Sequence, residues 1–254
     1  MIKKSYAKVN IFLKIADKRD NYHEIVSRFV RVNSLYDLIT FEEGHFDDFS
    51  LIGMFGCKKE KNTIYKAYLK IKELYPNVEQ FFKKNCVIVD KRIPEFAGLG
   101  GGSSNAAVFL LMVNEACNLN LSKDQLAKIG VQIGADVPFF IYEYNSANVS
   151  GIGEIVEKFD EEILDFDIIT PKIRCNTADI FNNFREKFYK QINKESKEKL
   201  FNTKSKEIMD LYNIYEANDL FQSAVDLYPN LNTYNKDHYF FSGSGSSFFK
   251  VKDE

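Results

Sequence analysis

The sequence predicts a mixed α/β (α+β) fold, and three stretches of it carry this prediction. Residues 86–89 are apolar and largely β-branched, which is typical of a short buried strand. They are followed by a loop at 94–104 that contains four glycines, and then by an apolar segment at 106–116 with the character of a buried helix. Near the start, residues 5–15 alternate between two faces, as a strand does.

Length and composition restrict the class of protein. The 254 residues can hold one large domain or two of ordinary size. A net charge of −2 does not favour nucleic acid or an acidic membrane surface as a partner. No apolar run approaches the roughly 20 residues of a membrane span, and the first residues lack the apolar core of a signal peptide. We therefore expect a cytoplasmic protein, and the lack of a long apolar amphipathic stripe favours a monomer.

The cysteines predict neither disulfides nor a metal site. They are widely spaced, with no C-x-x-C pair and no histidine at metal-ligand spacing. We expect all four to be small buried side chains in a reducing compartment: Cys57, Cys86, Cys117 and Cys175.

Residues 94–104, here called the glycine loop, predict a cradle for polyphosphate. Glycine allows positive φ and a close approach of the backbone to a ligand. Successive N–H groups can then point inward, and the helix that follows adds its free amides and positive dipole end. The alternative is a flexible Gly/Ser linker, which the apolar segments on both sides disfavour. Because no lysine follows the glycines, the pattern is not that of a P-loop NTPase, and a catalytic cation must come from elsewhere in the chain.

The alternating strand at 5–15 offers such a cation. Lys8 and Asn10 share one face with Phe12 and Lys14, so they can point into one pocket. The alternative is an edge strand with a solvated Lys8. Spacing alone favours this second interpretation.

Asp136 is a candidate catalytic carboxylate. Ser122 and Gln125 form the pattern of a capping box, which predicts a helix that ends near Gly134. Pro138 favours an extended residue before it, so we predict an apolar strand at 137–142. Asp136 would then lie in the turn between helix and strand, where catalytic carboxylates and ordinary turn residues are both common.

Three further segments have clear patterns. Residues 62–74 have helical periodicity, with Leu74 on the apolar stripe. The lysine-rich segment 185–206 predicts a solvated, partly helical insertion rather than a nucleic-acid surface, because no aromatic ladder accompanies it. Residues 242–247, here called the hairpin loop, join two apolar strands. Their small side chains would let this loop pack closely against a phosphate or against the glycine loop.

Taken in order, these motifs resemble the GHMP kinase superfamily, which includes galactose, homoserine, mevalonate and phosphomevalonate kinases. The resemblance covers essentially the whole chain, and it is specific because several motifs occur in the expected order. They are Ala-Lys-Val-Asn at 7–10, Tyr-His-Glu at 22–24, Asn-Thr-Ile-Tyr-Lys-Ala at 62–67, Gly-Leu-Gly-Gly-Gly-Ser-Ser-Asn-Ala-Ala at 98–107, Gly-Ala-Asp-Val-Pro-Phe at 134–139, and Asn-Asp-Leu at 218–220.

The resemblance implies a two-domain architecture with the active site in a cleft between the domains. An N-terminal ATP-binding domain would cover residues 1–153, and a ferredoxin-like C-terminal domain would cover 154–254. The implied reaction is phosphorylation of a hydroxyl on a cytidine-diphosphate-linked polyol, with ATP as phosphoryl donor. Mg²⁺ would be delivered with ATP, since no residue stands out as a carboxylate ligand for it.

The resemblance also implies roles for individual residues. Asp136 would be the general base that also contacts substrate, and Lys8 its cationic partner. Asn10 would contact the substrate near the reacting hydroxyl. The cytidine would be held by Tyr22, His23, Thr177 and Phe181, where without the resemblance His23 would be taken as an ordinary turn histidine. ATP would be bound by Asn62, Lys91, Pro94, Glu95, Phe96, Ala97, Gly98, Leu99, Gly100, Gly101, Gly102, Ser103 and Ser104.

Phe96 departs from the family pattern, which usually has glycine at this position. A phenyl ring there could alter the adenine pocket or simply pack inward, and it bears on nucleotide affinity rather than on the chemical step. Two alternatives to this function remain: another small-molecule kinase of the superfamily, of the mevalonate or homoserine type, and a catalytically silent nucleotide-binding sensor. The presence of both Lys8 and Asp136 speaks against a sensor, which has little need for a base.

Overall fold

A computed structural model describes residues 1–19, 22–236 and 238–252, without the side chains of Lys18, Arg19 and Tyr22. The chain divides into two compact units, neither of which is continuous in sequence. Unit 1 comprises Met1–Ala7, Leu35–Ile93 and Gly100–Glu143, and unit 2 comprises Lys8–Ser34, Pro94–Leu99 and Tyr144–Glu254. The domain boundary at 153/154 stays a prediction.

The described elements include both strands and helices, in agreement with the predicted mixed α/β class. The strands are β1 (Ile2–Arg19), β2 (Tyr22–Glu43), β3 (Leu51–Gly53), β4 (Asn85–Asp90), β5 (Ser146–Gly151), β6 (Ile155–Lys158), β7 (Phe166–Ile169), β8 (Phe240–Phe241) and β9 (Phe248–Val251). The α-helices are α1 (Thr63–Leu74), α2 (Asn77–Phe82), α3 (Gly101–Ala116), α4 (Lys123–Gly130), α5 (Val137–Tyr142), α6 (Thr177–Asn183), α7 (Lys194–Asn202), α8 (Ser205–Leu211), α9 (Ile214–Ala217) and α10 (Phe221–Leu227).

Unit 1 packs helices on a small sheet. The second half of β2 pairs antiparallel with β4, with Leu38 opposite Asp90, and β3 pairs parallel with β4. An aromatic cluster joins this sheet to α1, α2 and α3: Phe49 stacks on Tyr68 with 4.0 Å between ring centroids, and Phe82 stacks on Phe109 at 5.6 Å. Ring contacts of this kind stabilise a core beyond the area they bury. They hold α3, the helix after the glycine loop, at the centre of the unit.

Unit 2 contains the first half of β2, paired antiparallel with β5, which in turn pairs with β6. A second antiparallel sheet has the order β7-β9-β8. Helices α6 and α10 cover a core cluster that includes Leu13 and Ile15 of β1 as well as Phe221 and Phe248. The predicted hairpin is confirmed, because Phe241 at the end of β8 pairs with Phe248 at the start of β9.

Several predicted elements are confirmed, and others are corrected. The strand at 86–89, the helix at 62–74 and the capping box at Ser122 are present. Leu74 is 48% exposed, so it does not belong to the buried stripe of α1. Helix α4 ends at Gly130 rather than near Gly134, because a turn intervenes.

Residues 137–142 form helix α5, so the strand predicted there is wrong. Proline is favoured in the first turn of a helix, where its missing N–H would have no intrahelical partner. Pro138 occupies this first turn and therefore starts the helix instead of forcing an extended segment.

The cysteines and the lysine-rich segment are mostly as predicted. None of the four cysteines is in a disulfide. Cys86 and Cys175 are buried, Cys117 is half-buried, and Cys57 is exposed, which corrects the expectation that every one is buried. The segment 185–206 is partly helical and largely exposed, with α7 as its regular part. Within the described residues, no helix combines the length and apolarity that crossing a membrane requires.

Candidate active site

The glycine loop has a left-handed backbone at every second position from Phe96 to Gly100. The φ angles are +58° at Phe96, +76° at Gly98 and +69° at Gly100. Glycine adopts these values without steric cost, but phenylalanine does so only under strain. Gly100 is the N-cap of α3, so the helix begins at Gly101 inside the glycine run, five residues before the apolar segment that predicted it.

The hairpin loop packs directly on the part of the glycine loop that belongs to unit 2. Ser242 Oγ donates to the Gly98 carbonyl at 3.0 Å, and the Ser247 N–H donates to the Ala97 carbonyl at 3.1 Å. A Cβ on Gly98 would overlap the Ser242 carbonyl oxygen. The close packing of the two loops, predicted from their small residues, is therefore present.

Lys8 lies beside the glycine loop. Its backbone N–H donates to the Leu99 carbonyl at 3.0 Å, and its side chain is only 3% exposed in strand β1. The edge-strand interpretation with a solvated Lys8 is therefore wrong. The reason is that β1 is covered on both faces, so that Lys8, Asn10 and Phe12 are as buried as the apolar residues between them.

Asn10 orients the Lys8 ammonium. A lysine only donates hydrogen bonds, so the amide oxygen of Asn10 must face it; the distance from Lys8 Nζ to Asn10 Oδ1 is 2.6 Å. The amide nitrogen of Asn10 in turn donates to Ser27 Oγ at 3.0 Å. The Lys8 ammonium also lies 4.3 Å from the ring centroid of Phe29, a cation–π contact. The lysine predicted to be catalytic is thus held by Asn10, which Ser27 orients, and by the face of Phe29.

In unit 1, Asp136 follows a turn that touches the first turn of α3. A Cβ on Gly134 would lie 3.5 Å from Ser103 Oγ. Asp136 is half-buried at the N-cap of α5, yet its carboxylate does not cap that helix. The first turn of α3 is also tied to α1, because Thr63 Oγ1 donates to the Gly102 carbonyl at 2.6 Å. The fold of unit 1 therefore brings the turn before Asp136 close to Ser103.

Asp37, a buried carboxylate that the sequence analysis missed, bonds to residues on both sides of the glycine loop. Asp37 is fully buried and accepts from Lys91 Nζ at 2.5 Å and from the backbone N–H groups of Arg92 at 2.7 Å and Ile93 at 2.8 Å. Asn105 of α3 donates to the same carboxylate at 2.8 Å. Asp37 thus links the chain entering the glycine loop to the helix leaving it. No motif marks Asp37, since its partners lie more than 50 residues away in sequence.

Three predicted ATP-binding residues have structural partners of their own. Lys91 pairs with Asp37, and Asn62 caps α1 by accepting from the Ile64 N–H at 2.9 Å. Ser104 is fully buried, and its hydroxyl accepts from Ser5 at 2.8 Å, so its side chain faces the interior of unit 1. Ser103 is the serine of this pair with a partly exposed side chain. Contacts of these residues with a nucleotide stay predictions.

The remaining loop residues fall into two groups. Pro94 and Glu95 are exposed, while Ala97 and Leu99 are buried and offer a ligand only their backbone. Phe96 is 50% exposed, so its ring does not pack inward. Gly101 cannot accept a Cβ without displacing Ile93.

An aromatic pair forms in unit 2 where the cytidine site is predicted. The His23 imidazole stacks on the Phe181 ring with 5.3 Å between centroids and 29° between planes. Thr177, at the start of α6, shares a hydrogen bond of 2.9 Å with Ser244 of the hairpin loop. The structure therefore brings together His23 and Phe181, which are far apart in sequence. Tyr22 begins β2, but its side chain lies outside the described part of the chain.

No metal centre is evident from protein ligands. Among residues 1–19, 22–236 and 238–252, no group of three or more His, Cys, Asp or Glu side chains could hold a metal ion. The Ser103 hydroxyl is a partly exposed oxygen of the glycine loop. Hydroxyl and phosphate oxygens are ligands that Mg²⁺ accepts, so this donor set fits an ion that arrives on a nucleotide.

Solved structures of two kinases share this fold. A crystal structure of 4-(cytidine 5'-diphospho)-2C-methyl-D-erythritol kinase matches with a TM-score of 0.73 and 26% identity, covering 100% of this chain and 90% of that one. A crystal structure of mevalonate kinase matches with a TM-score of 0.63 and 17% identity, covering 100% of this chain and 91% of that one. The family model described as the GHMP kinases N terminal domain matches residues 62–144. The fold is that of the GHMP kinases.

Curated relatives define the family more narrowly. A 4-diphosphocytidyl-2-C-methyl-D-erythritol kinase of Sulfurimonas denitrificans is 53% identical over 99% of this chain and 97% of its own length. One from Campylobacter jejuni subsp. doylei is 41% identical over 98% of this chain and 99% of its own length. The chain therefore belongs to the 4-diphosphocytidyl-2-C-methyl-D-erythritol kinase family of the GHMP kinases.

Proposed function

We propose that this chain is an ATP-dependent kinase that phosphorylates the 2-hydroxyl of 4-diphosphocytidyl-2-C-methyl-D-erythritol, a step in isoprenoid precursor synthesis. The products are the 2-phosphate and ADP. The observation that carries the proposal is the contact between the Lys8 backbone and Leu99, which brings a buried ammonium to the edge of the glycine loop. Family membership supplies the substrate, because both curated relatives carry the name of this kinase.

Asp136 is the general base in this proposal. The substrate hydroxyl gives its proton to the Asp136 carboxylate, and its oxygen attacks the γ-phosphorus of ATP. The bond from that phosphorus to the bridging oxygen breaks, and ADP leaves with the electron pair. Phosphoryl transfer of this kind depends mainly on positioning and on neutralising charge. A half-buried carboxylate whose turn touches the first turn of α3 supports this role.

Lys8 supplies positive charge in the same proposal. An ammonium near a carboxylate favours its ionised form and stabilises a developing alkoxide. Because Asn10 and Phe29 hold the ammonium, little side-chain entropy remains to be lost when substrate binds. The amide oxygen of Asn10 accepts a hydrogen bond from Lys8. Asn10 and Lys8 would therefore contact the substrate together.

The glycine loop would bind the triphosphate of ATP through its backbone amides. The positive φ values at Gly98 and Gly100 support this, since alternating backbone conformations turn N–H groups to one side. When bound with ATP, Mg²⁺ would neutralise charge on the transferring phosphoryl group. Ser103, with a partly exposed hydroxyl, would contact the phosphates or the ion.

The aromatic pair constrains how cytosine would bind. A base between two rings needs them roughly 7 Å apart, twice the stacking separation implied by close carbon contacts. His23 and Phe181 are closer than this, at 5.3 Å, so we propose that cytosine stacks on the outer face of Phe181. His23 would then support the Phe181 ring from the face opposite to the base. Tyr22 would complete the site.

A working location in the cytoplasm and a monomeric state also remain proposals.

The test is a substrate panel with purified protein. ADP release is measured with 4-diphosphocytidyl-2-C-methyl-D-erythritol, mevalonate, homoserine and galactose, each with ATP. Turnover with the first substrate alone supports the proposal. Turnover only with one of the others would assign the chain to a related kinase. Tight ATP binding without turnover on any of the four would favour a nucleotide-binding sensor.

A further inference from the structure

Phe96 is the strained residue of the glycine loop, and its ring has a charged neighbour. Its φ of +58° is a conformation that a bulky side chain adopts only when its surroundings impose it. The ring is 50% exposed. The guanidinium carbon of Arg174 lies 5.7 Å from its centroid, within the range of a cation–π contact. An arginine thus lies over an exposed ring of the glycine loop.

The backbone around Arg174 is held firmly on both sides. Ser246 Oγ of the hairpin loop donates to the Pro171 carbonyl at 3.3 Å. Thr177, three residues after Arg174, bonds Ser244 of the same loop. Cys175 belongs to the core of unit 2. Because the hairpin loop also packs on Ala97 and Gly98, the segment that carries Arg174 is fixed relative to the start of the glycine loop.

The contact that the structure gives the Arg174 guanidinium is aromatic and not an ion pair. Across residues 1–19, 22–236 and 238–252, the contact that the structure gives Arg174 is the Phe96 ring, with neither a hydrogen bond nor a carboxylate partner. Other arginines of the chain differ in this respect: Arg28 faces Glu161 and Arg92 faces Asp90. A guanidinium that stacks on an aromatic ring keeps all five of its N–H donors for another acceptor.

We propose that Arg174, positioned by Phe96, is a binding residue for the phosphates of a nucleotide at the glycine loop. The proposal rests on the function proposed above and adds to it a cation from outside the motifs that define the family. A guanidinium matches the geometry of phosphate oxygens with two parallel hydrogen bonds. The ligand is a nucleoside diphosphate group, which both ATP and the cytidine-linked substrate contain. Arg174 precedes α6, which carries Phe181, and it contacts Phe96 of the glycine loop. The diphosphate of ATP and that of the cytidine-linked substrate are therefore both candidate ligands.

The test compares ligands with and without phosphates. Dissociation constants are measured by calorimetry for ADP, adenosine, CDP and cytidine, on the wild-type protein and on Arg174→Ala. A hydrogen bond to a charged group contributes enough that its loss should weaken diphosphate binding about tenfold or more. Adenosine and cytidine should bind the two proteins equally. Selective loss for ADP assigns the contact to ATP, and selective loss for CDP assigns it to the substrate. Equal affinities of both proteins for both diphosphates would overturn the proposal.

Two further variants separate charge from structure. Lys172→Ala removes an exposed positive charge two residues away and should leave all four dissociation constants unchanged. If it weakens the diphosphates as much as Arg174→Ala does, the effect is general electrostatics and the proposal fails. Phe96→Gly relieves the strained φ but removes the ring under Arg174. It should weaken the same diphosphate by a smaller factor, about twofold to fivefold from the value of an exposed cation–π contact, and the loss should be absent when Arg174 is already alanine.

The measurement also distinguishes this proposal from the proposed reaction. Binding requires no phosphoryl transfer, so selective loss of diphosphate affinity would support Arg174 even if the wild-type protein turns over no substrate in the panel. Conversely, normal kinase activity together with unchanged affinities in Arg174→Ala would leave the reaction standing and remove Arg174 from the site. Measurements at low and high salt add a check, because screening should diminish the effect of an exposed charge.

Discussion

Gly245 and Gly98 touch through their backbones, although 147 positions separate them in the sequence. A Cβ on Gly245 would overlap the Gly98 amide nitrogen, and a Cβ on Gly98 would lie 3.1 Å from the Gly245 Cα. This contact joins the hairpin loop to the glycine loop within unit 2. Only glycine on both sides allows it, so the conformation of the glycine loop depends on a segment near the C-terminus.

Gly98→Ala should therefore damage the loop more than a change at another of its glycines. The φ of +76° costs alanine about 1–2 kcal/mol, and overlap with Ser242 adds about 1–3 kcal/mol of overpacking. We expect a lower free energy of unfolding, measured by urea denaturation, together with weaker ATP binding. Gly102→Ala is the control, because the nearest atom to its Cβ would be Thr63 Oγ1 at 3.4 Å and α3 accepts alanine. Equal stabilities of the two variants would refute the importance of the contact between the loops.

Asp136→Asn should remove catalysis and leave binding. An amide of the same size cannot accept the substrate proton, and a positioned base contributes about 10²–10⁴-fold to rate. We expect kcat to fall by a factor in this range while the ATP dissociation constant changes little. Steady-state kinetics and calorimetry on the same preparation test this. Undiminished turnover would remove Asp136 from the role of base but would not affect the family assignment.

Asp37→Asn should destabilise unit 1 and disturb nucleotide binding together. Breaking a buried ion pair leaves the Lys91 ammonium without its carboxylate, which typically costs about 3–5 kcal/mol. Since Asp37 connects residues 92–93 with α3, we also expect a higher KM for ATP with a smaller change in kcat. The control is Asp90→Asn, which breaks an exposed pair with Arg92 and should change neither value. A loss of stability without any change in KM would make Asp37 purely structural.

Arg28→Met should loosen the attachment of the lysine-rich segment. Arg28 is fully buried, and its guanidinium faces Glu161 and donates to the Phe201 carbonyl at 3.0 Å. Burial lowers the pKa of Arg28 to about 10, against the opposing effect of Glu161. Leaving the buried Glu161 carboxylate without its cation should cost about 3–5 kcal/mol, and adding Glu161→Gln should recover part of this. Urea denaturation of both variants tests the prediction, which fails if the single variant is as stable as the wild type.

Cys117 should react slowly with alkylating reagents despite its partial exposure. Burial raises the pKa of its thiol to about 11. Because the thiolate is the nucleophile, only about one molecule in a thousand would be reactive at pH 8. Labelling of native protein by iodoacetamide, followed by mass spectrometry, should increase about tenfold per pH unit up to the pKa. Denatured protein serves as the control, and equally fast labelling of native and denatured Cys117 at pH 8 would contradict the shift.

Much of the active site could be predicted from the sequence because its main parts are local. The glycine loop, helix α3, the hairpin loop and the capping box at Ser122 are each encoded by neighbouring residues, and each is present. Glycine and serine clusters restrict what the backbone can do over a few positions. Such restrictions do not depend on the rest of the molecule.

Other features required the tertiary structure because they depend on residues far away in the chain. Burial of Lys8 could not be inferred from alternation, which is the same for an edge strand and for one covered on both faces. Pro138 was consistent with either an extended segment or a first helical turn, and packing decided for the helix.

The sequence by itself determined the class of protein, the order of its motifs and the loop that would hold polyphosphate. Only the tertiary structure decided that Asp37 connects the two ends of that loop and that Arg174 lies over Phe96. The physical reason is that a buried charge or a ring contact needs a partner at a few ångströms, and proximity in space between distant residues is a property of the folded chain. Local backbone preferences, by contrast, are already present in each short segment.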